Sequence, residues 1–295
     1  MLAKSDLAAR YIALLKKSLV NELYIENEAR IVLVVDSLLN RRPFELGHLY
    51  GINREAALFS LLRKAKEDGS SIVLRTRRPD GSYVPVAEMR NFTELAHTMV
   101  GRKRLDNLQD CIETILADAV RGDFLEAGVW RGGSCIFMRG ILSAYNVSDR
   151  TVWVADSFEG VPASTHPNDA GIDLSVDVLP VLAVPLEEVR ELFSRYGLLD
   201  GQVEFLKGWF KDTLQAAPID RLALLRLDGD LYESTMDALV ALYDKVSGGG
   251  FVIVDDYYSC APCGRAVDDF RATRAISEPM QKIDEQSIFW RKNAA

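Results

Sequence analysis

The chain has 295 residues, 48% of them hydrophobic and 26% charged, which is an ordinary globular composition with room for one large domain and an appendage or for two modest domains. A formal net charge of −8 and a pI near 5.1 oppose binding to the phosphate backbone of nucleic acids, and the short basic stretch Gly101-Arg102-Lys103-Arg104 does not reverse that sign. Lys4, Asp6 and Arg10 argue against a secretory leader, and the best apolar run, Ile31 to Val35, is cut by Asp36, so no membrane span is expected.

Leu7, Tyr11, Leu14 and Leu15, continued by Leu19, stand at helical spacing and predict a helix over residues 5–40, with Pro43 ending the segment. A second amphipathic helix is predicted from about Asn53, an N-cap residue type, to Gly69. Ile72-Val73-Leu74 and Tyr83-Val84-Pro85-Val86 flank the turn sequence Pro79-Asp80-Gly81, which predicts a hairpin. Residues 1–95 therefore read as an α-rich appendage, a lid or an oligomer contact, and residues 96–295 as the main domain.

Leu105, Leu108, Cys111, Ile112, Ile115 and Leu116 form one helical stripe, closed by Gly122. Strand-like runs then alternate with helices: Phe124-Leu125, Val152-Trp153-Val154, Val203 to Leu206, Leu222 to Leu225 and Phe251 to Val254. One helix is predicted over Pro185 to Tyr196, stopping at Gly197. Another runs from about Glu233 to Val246 and stops at Gly248-Gly249-Gly250. Alternating β and α with near-continuous apolar strands predicts an α/β fold with a doubly wound parallel sheet. Cys111 and Cys135 read as small core residues. Cys260 and Cys263 have the spacing of a redox or zinc pair, but no second Cys/His pair completes a metal site, so a reducing, cytoplasmic setting is expected.

In an open α/β sheet ligands bind at the carboxyl ends of the strands, and four predicted strand ends carry glycines or carboxylates. The first is Glu126-Ala127-Gly128-Val129-Trp130-Arg131-Gly132-Gly133-Ser134, whose glycines let backbone approach a ligand and whose following helix offers free N–H groups. Its spacing is not G-x-G-x-x-G, and an acidic residue two before the first glycine suits a cationic ammonium such as that of S-adenosylmethionine. A tight strand-to-helix turn would need the same glycines. Asp156, 23 positions after Gly133, matches the spacing at which an acidic residue meets a ribose, although with Ser157 next it could equally cap a turn. These two features favour an adenosine-containing cofactor without separating NAD from S-adenosylmethionine.

The third and fourth ends are Leu227-Asp228-Gly229-Asp230 and Asp255-Asp256-Tyr257. Residues two apart in an extended segment point the same way, so Asp228 and Asp230 can face one site. If the two strands are neighbours, the carboxylates converge, and uncompensated repulsion would raise their pKa values. A hard divalent cation with oxygen ligands, Mg²⁺ above all, resolves that; solvated turn aspartates are the alternative. Such a metal can hold an acceptor oxygen and lower its pKa, while a carboxylate not used as a ligand takes the proton. Asp228, Asp255 and Asp256 are the expected ligands and Asp230 the expected base. His97 could serve as a base but fits a cap or structural donor better. Trp209, after Gly208, could border adenine or pack in the core.

From His97 onward the chain resembles the macrocin O-methyltransferase (TylF-type) family, whose members methylate sugar hydroxyls on macrolide and aminocoumarin antibiotics. The resemblance is carried by Ala96 to Leu105, Leu125 to Gly133, Val154 to Gly160, Phe193 to Leu198, Gly208 to Thr213, Leu227 to Asp230 and Asp255 to Tyr257, in family order. It implies a Rossmann-like class I methyltransferase fold with a seven-stranded, mostly parallel sheet, Mg²⁺ dependence and homo-oligomers, dimeric or tetrameric. The aspartates matching Asp228, Asp255 and Asp256 hold the metal in such enzymes, and the one matching Asp230 is the base. Residues matching Thr98 and Met99 close over the cofactor, and those matching Gly208 and Trp209 approach its adenine. The expected cofactor set is completed by Glu126, Gly128, Val129 and Trp130 at the first turn and by Asp156, Ser157 and Gly160 at the second. The helix and hairpin material of residues 31–90 is not expected to match the short N-terminal region of the antibiotic-sugar enzymes, which leaves the acceptor open between a deoxysugar and a polyketide or other natural-product hydroxyl. The expected partner is thus a small hydroxylated acceptor, with neither nucleic acid nor membrane. An NAD-dependent oxidoreductase would explain the glycine turn and Asp156 but not the four aspartates. A non-catalytic binding protein on the same fold would have no need to keep all four.

Overall fold

Apolar runs too short for helices and bounded by turn residues become the strands of the main sheet, and the longer stripes between them become helices. The computed structural model describes residues 6–43, 47, 56–69, 71–90 and 95–293. Two compact units emerge, one of residues 1–12 with 106–295 and the other of residues 13–105.

In the larger unit β3 (Asp123–Ala127), β4 (Val152–Asp156), β5 (Val203–Lys207), β6 (Leu222–Leu227), β7 (Val246–Val254), β8 (Gln281–Lys282) and β9 (Ile288–Arg291) form one sheet in the order β5-β4-β3-β6-β7-β9-β8. The five strands from β5 to β7 are mutually parallel, and β9 and β8 complete the edge antiparallel. Strand order runs outward from β3 on one side and from β6 on the other, so the topological switch point lies between these two. Every residue of β6 is buried, as is nearly all of the helix Gly133–Ala144 that follows β3. Burial of side chains such as Phe137, Leu142, Leu224 and Leu225 contributes on the order of 1.5–3 kcal/mol each.

The glycine run expected to end a helix lies inside β7 instead. The helix stops at Leu242, and Gly250 passes so close to β6 that a Cβ there would sit 2.7 Å from the Ala223 carbonyl oxygen. The antiparallel pair β8–β9, with Ile288 and Trp290 facing the core, was not foreseen.

In the smaller unit the helix expected over residues 5–40 is two helices, Asp6–Leu19 and Ile25–Leu39, the first beginning in the larger unit. Asn21, with a left-handed φ of 56°, breaks them apart, and its side-chain amide donates to Glu28 Oε1 at 2.6 Å. The helix Ala56–Asp68 ends at Gly69 (φ 72°), while the Asn53 cap lies outside the described residues. The hairpin forms as expected from β1 (Ser71–Arg77) and β2 (Tyr83–Arg90). Ile25, Ala29, Val32, Phe59, Leu62 and Ala65 make this unit's core. No helix among the described residues is long and apolar enough to cross a membrane.

Candidate active site

Four strand ends carry their ladders one residue further, which fixes the loops that follow. Gly128 N–H donates to Ala155 O, Asp228 N–H to Ala127 O, Asp255 N–H to Leu227 O and Gly208 N–H to Asp156 O, each at 2.9 Å. Because β6 and β7 pair with Leu227 opposite Val254, Asp228 and Asp255 leave neighbouring strands side by side. Gly128 sits between them and β4 with φ 88°, and a Cβ there would fall 1.9 Å from the Asp228 carbonyl oxygen, so only glycine fits.

Oxygen atoms of Asp228, Asp255 and Asp256 lie within 4.8 Å of one another. Asp256 Oδ1 accepts from the Ser259 hydroxyl at 3.1 Å, while its Oδ2 is sealed from solvent without a hydrogen-bond partner. Burial, then the nearby charges of Asp230, Asp228 and Asp255, pushes the Asp256 carboxyl well above the ordinary range. A donor set of carboxylate oxygens only, one of them orphaned, fits a hard divalent cation. Asp230 follows in a left-handed conformation (φ 55°) at the end of the β6 turn.

The carboxylates are not uncompensated, as the spacing argument assumed. Arg226, buried in β6, extends its guanidinium to Glu126 in β3, to Asp228 at 2.8 Å and to Asp255. One guanidinium cannot balance this group, and Asp256 has no share in it. Glu126, 1% exposed, also accepts from the Cys135 thiol at 2.9 Å. Burial raises its carboxyl to about 7 despite the pull of Arg226. The expected ammonium partner is therefore embedded in the same charge cluster as the aspartates. Cys135 is buried as expected, but it is a hydrogen-bond donor as well as filler.

Asp156 braces the first turn: Oδ2 accepts from Val129 N–H and Oδ1 from Phe158 N–H, both at 2.7 Å. The Ser157 hydroxyl also lies 3.4 Å from Oδ1. The Ser157 hydroxyl closes the second turn onto Gly160 O at 2.7 Å, with Gly160 at φ 92°. Trp130, at φ 48°, donates its indole N–H to Val181 O at 2.8 Å and lies under the Arg131 guanidinium. Gly208 (φ 140°) precedes Trp209, which opens the short helix Phe210–Thr213. Thr98 and Met99 belong to the smaller unit, where Thr98 is buried. His97 donates its backbone N–H to Leu19 O at 2.8 Å. Cys260 and Cys263 are free thiols, and burial raises that of Cys260 to about 11.

Two polar residues of this region escaped the sequence reading. Arg226 could have been found, since a charged residue inside the apolar run Leu222 to Leu227 needs a buried partner. Asp169, 2% exposed and bonded to the helix after Asp230, gave no local signal.

A switch point flanked by a glycine turn and by carboxylates at adjacent strand ends is where an open α/β sheet of the class I methyltransferase type holds its ligands. Comparison with known proteins gives the family: residues 8–292 match the model of the macrocin-O-methyltransferase (TylF) family, and the chain belongs to it; the match takes in residues 31–90, for which no counterpart was expected. It is 59% identical over 209 residues, 70% of this chain and 79% of the relative, to the 8-demethyl-8-(2,3-dimethoxy-alpha-L-rhamnosyl)-tetracenomycin-C 4'-O-methyltransferase of Streptomyces olivaceus. It is 48% identical over 256 residues, 84% of this chain and 89% of the relative, to the mycinamicin III 3''-O-methyltransferase of Micromonospora griseorubida. Among solved structures, the O-methyltransferase NovP superposes with a TM-score of 0.73 at 41% identity, over 97% of this chain and 99% of that one. The chain is an O-methyltransferase, and family and fold together support S-adenosylmethionine as its methyl donor. The dehydrogenase alternative is thereby set aside.

Proposed function

We propose that this enzyme methylates a sugar hydroxyl of a natural-product glycoside with the help of Mg²⁺ bound by Asp228, Asp255 and Asp256. The observation that carries the reading is the convergence of those three carboxylates with an orphaned Asp256 oxygen, beside the glycine turn. The relatives named above carry a rhamnosyl group or a doubly primed position in their names, which favours a sugar over a polyketide hydroxyl.

Mg²⁺, when bound, lowers the pKa of the acceptor hydroxyl and helps align it with the sulfonium methyl. Asp230 takes the hydroxyl proton at its carboxylate. Glu126 sets the negative potential for the methionine ammonium, the Asp156 carboxylate faces the ribose, and Gly128, Val129 and Trp130 form the turn against the methionine part. Ser157 and Gly160 shape the ribose side, Gly208 and Trp209 border adenine, and Thr98 and Met99 close over the cofactor. Residues 1–95 act as a lid or as the contact of a homodimer or homotetramer. The enzyme works in the cytoplasm on a small acceptor.

Asp230→Asn tests the base. Turnover, read by mass as methyl gain on deoxysugar glycosides, is expected to fall by roughly 10²–10⁴ while S-adenosylmethionine still binds in calorimetry. Near-parental turnover would remove Asp230 from the mechanism.

A further inference from the structure

The helix Tyr232–Leu242 begins immediately after the Asp228–Asp230 turn, and its N-cap residue, Leu231, has no side chain able to cap it. The cap comes from elsewhere in the chain. Asp169, in the long connection between β4 and β5, accepts from Tyr232 N–H at 2.7 Å through Oδ1 and from Glu233 N–H at 3.2 Å through Oδ2. Those are two of the N–H groups that a helix start leaves without intrahelical partners. The Ser164 hydroxyl holds Asp169 in turn, 2.7 Å from Oδ2, and also lies 3.1 Å from Glu233 Oε2. The same connection is clamped further by His166, whose ring stacks on Tyr232 with centroids 4.6 Å apart, and by Asn168, which accepts from Arg265 at 3.1 Å.

We propose that Asp169 is a positioning residue for Asp230, a proposal that rests on the reading of Asp230 as the base. Asp230 occupies a left-handed conformation, which aspartate tolerates better than most residues with a Cβ but which is still held best by anchors on either side. Before it, the turn is anchored by the ladder bond from Asp228 N–H to Ala127 O, 2.9 Å long. After it, the turn is anchored by Asp169 on Tyr232 and Glu233. Remove the second anchor and the first helical turn frays, so that the Asp230 carboxyl loses its fixed place beside Asp256. Asp169 itself touches none of the carboxylates of the site; its effect passes through the backbone of residues 230–232.

The test uses the full chain with S-adenosylmethionine, Mg²⁺ and an accepted glycoside, reading kcat and KM separately together with the calorimetric Kd for S-adenosylhomocysteine. Asp169→Ala is expected to lower kcat roughly ten- to hundred-fold, as displacement of a reacting group by a fraction of an ångström does, with that Kd unchanged. Asp169→Asn keeps one oxygen acceptor, enough for the shorter bond from Tyr232 N–H, and is expected to recover part of the loss. Parental kcat in a folded Asp169→Ala variant, or Asp169→Asn as damaging as Asp169→Ala, would overturn the proposal. Should Asp169→Ala fail to fold, Ser164→Ala carries the same test with a few-fold loss in kcat expected, and parental kcat there would overturn it equally. In an Asp230→Asn background Asp169→Ala should cost nothing more; an additional loss there also counts against it. Parental turnover in Asp230→Asn alone would instead sink the reading of the base, so the two failures are told apart.

Discussion

Each unit of this protein buries a cation among carboxylates, and the two clusters are built differently. In the smaller unit Lys66, 2% exposed, meets the fully buried Glu28 at 2.6 Å, with the Asn21 amide on the same oxygen. In the larger unit the single guanidinium of Arg226 faces Glu126, Asp228 and Asp255, and Asp256 stands beside them with an orphaned oxygen. In the smaller unit a direct ion pair joins two helices, and Glu28 Oε2 is also buried without a hydrogen-bond partner. Surplus carboxylates at a switch point are what the proposed cation would offset, which is why the second cluster is proposed as the site and the first as a structural latch.

Single substitutions should expose that difference most strongly. Lys66→Met strands Glu28 in a dry core and is expected to cost about 3–5 kcal/mol in denaturant unfolding, whereas Lys66→Met with Glu28→Leu should return to within about 1 kcal/mol of the parent. Arg226→Met leaves three carboxylates rather than one, so its loss should match or exceed that of Lys66→Met, and no single apolar partner should rescue it. If one did, the two clusters would be alike and the comparison would fail.

The smallest expected effect lies away from both clusters. Arg139 donates to Asp200 through Nε at 3.0 Å, and this bond holds the Asp200 carboxyl below its ordinary range. A carboxyl depressed on folding adds stability that is present above its unfolded pKa of about 3.9 and is lost as pH falls through the folded value. Asp200 is part-exposed, so the contribution is small. Asp200→Asn should flatten the loss of stability between about pH 5 and pH 3, read from urea midpoints. Parallel curves for variant and parent would contradict it.

Much of the sheet was legible because its central strands β3, β4 and β6 are buried on both faces and so read as short apolar runs, each ended by glycine or aspartate. The places of Gly128, Asp156, Asp228 and Asp255 at strand ends followed directly. The neighbour relation of β6 and β7 was only a condition in the sequence, and the structure meets it. Less visible was anything set by partners far along the chain. The glycines of β7 look like a helix stop until β6 is packed against them. Arg226 looks like an interruption until Glu126 and Asp255 arrive from the strands on either side. Asp169 finds its helix 63 residues away, a contact no local pattern records. Asn21, by contrast, could have been suspected, since asparagine tolerates the left-handed conformation that splits the first helix.

The central claim, that surplus carboxylates make the second cluster a cation site, is tested most directly by calorimetric titration of Mg²⁺ into the chelator-treated protein. One ion per chain is expected to bind to the parent, binding should be lost in Asp256→Asn, and methyl transfer should stop in excess chelator and return with Mg²⁺. Absence of a binding heat together with undiminished turnover in chelator would contradict the account.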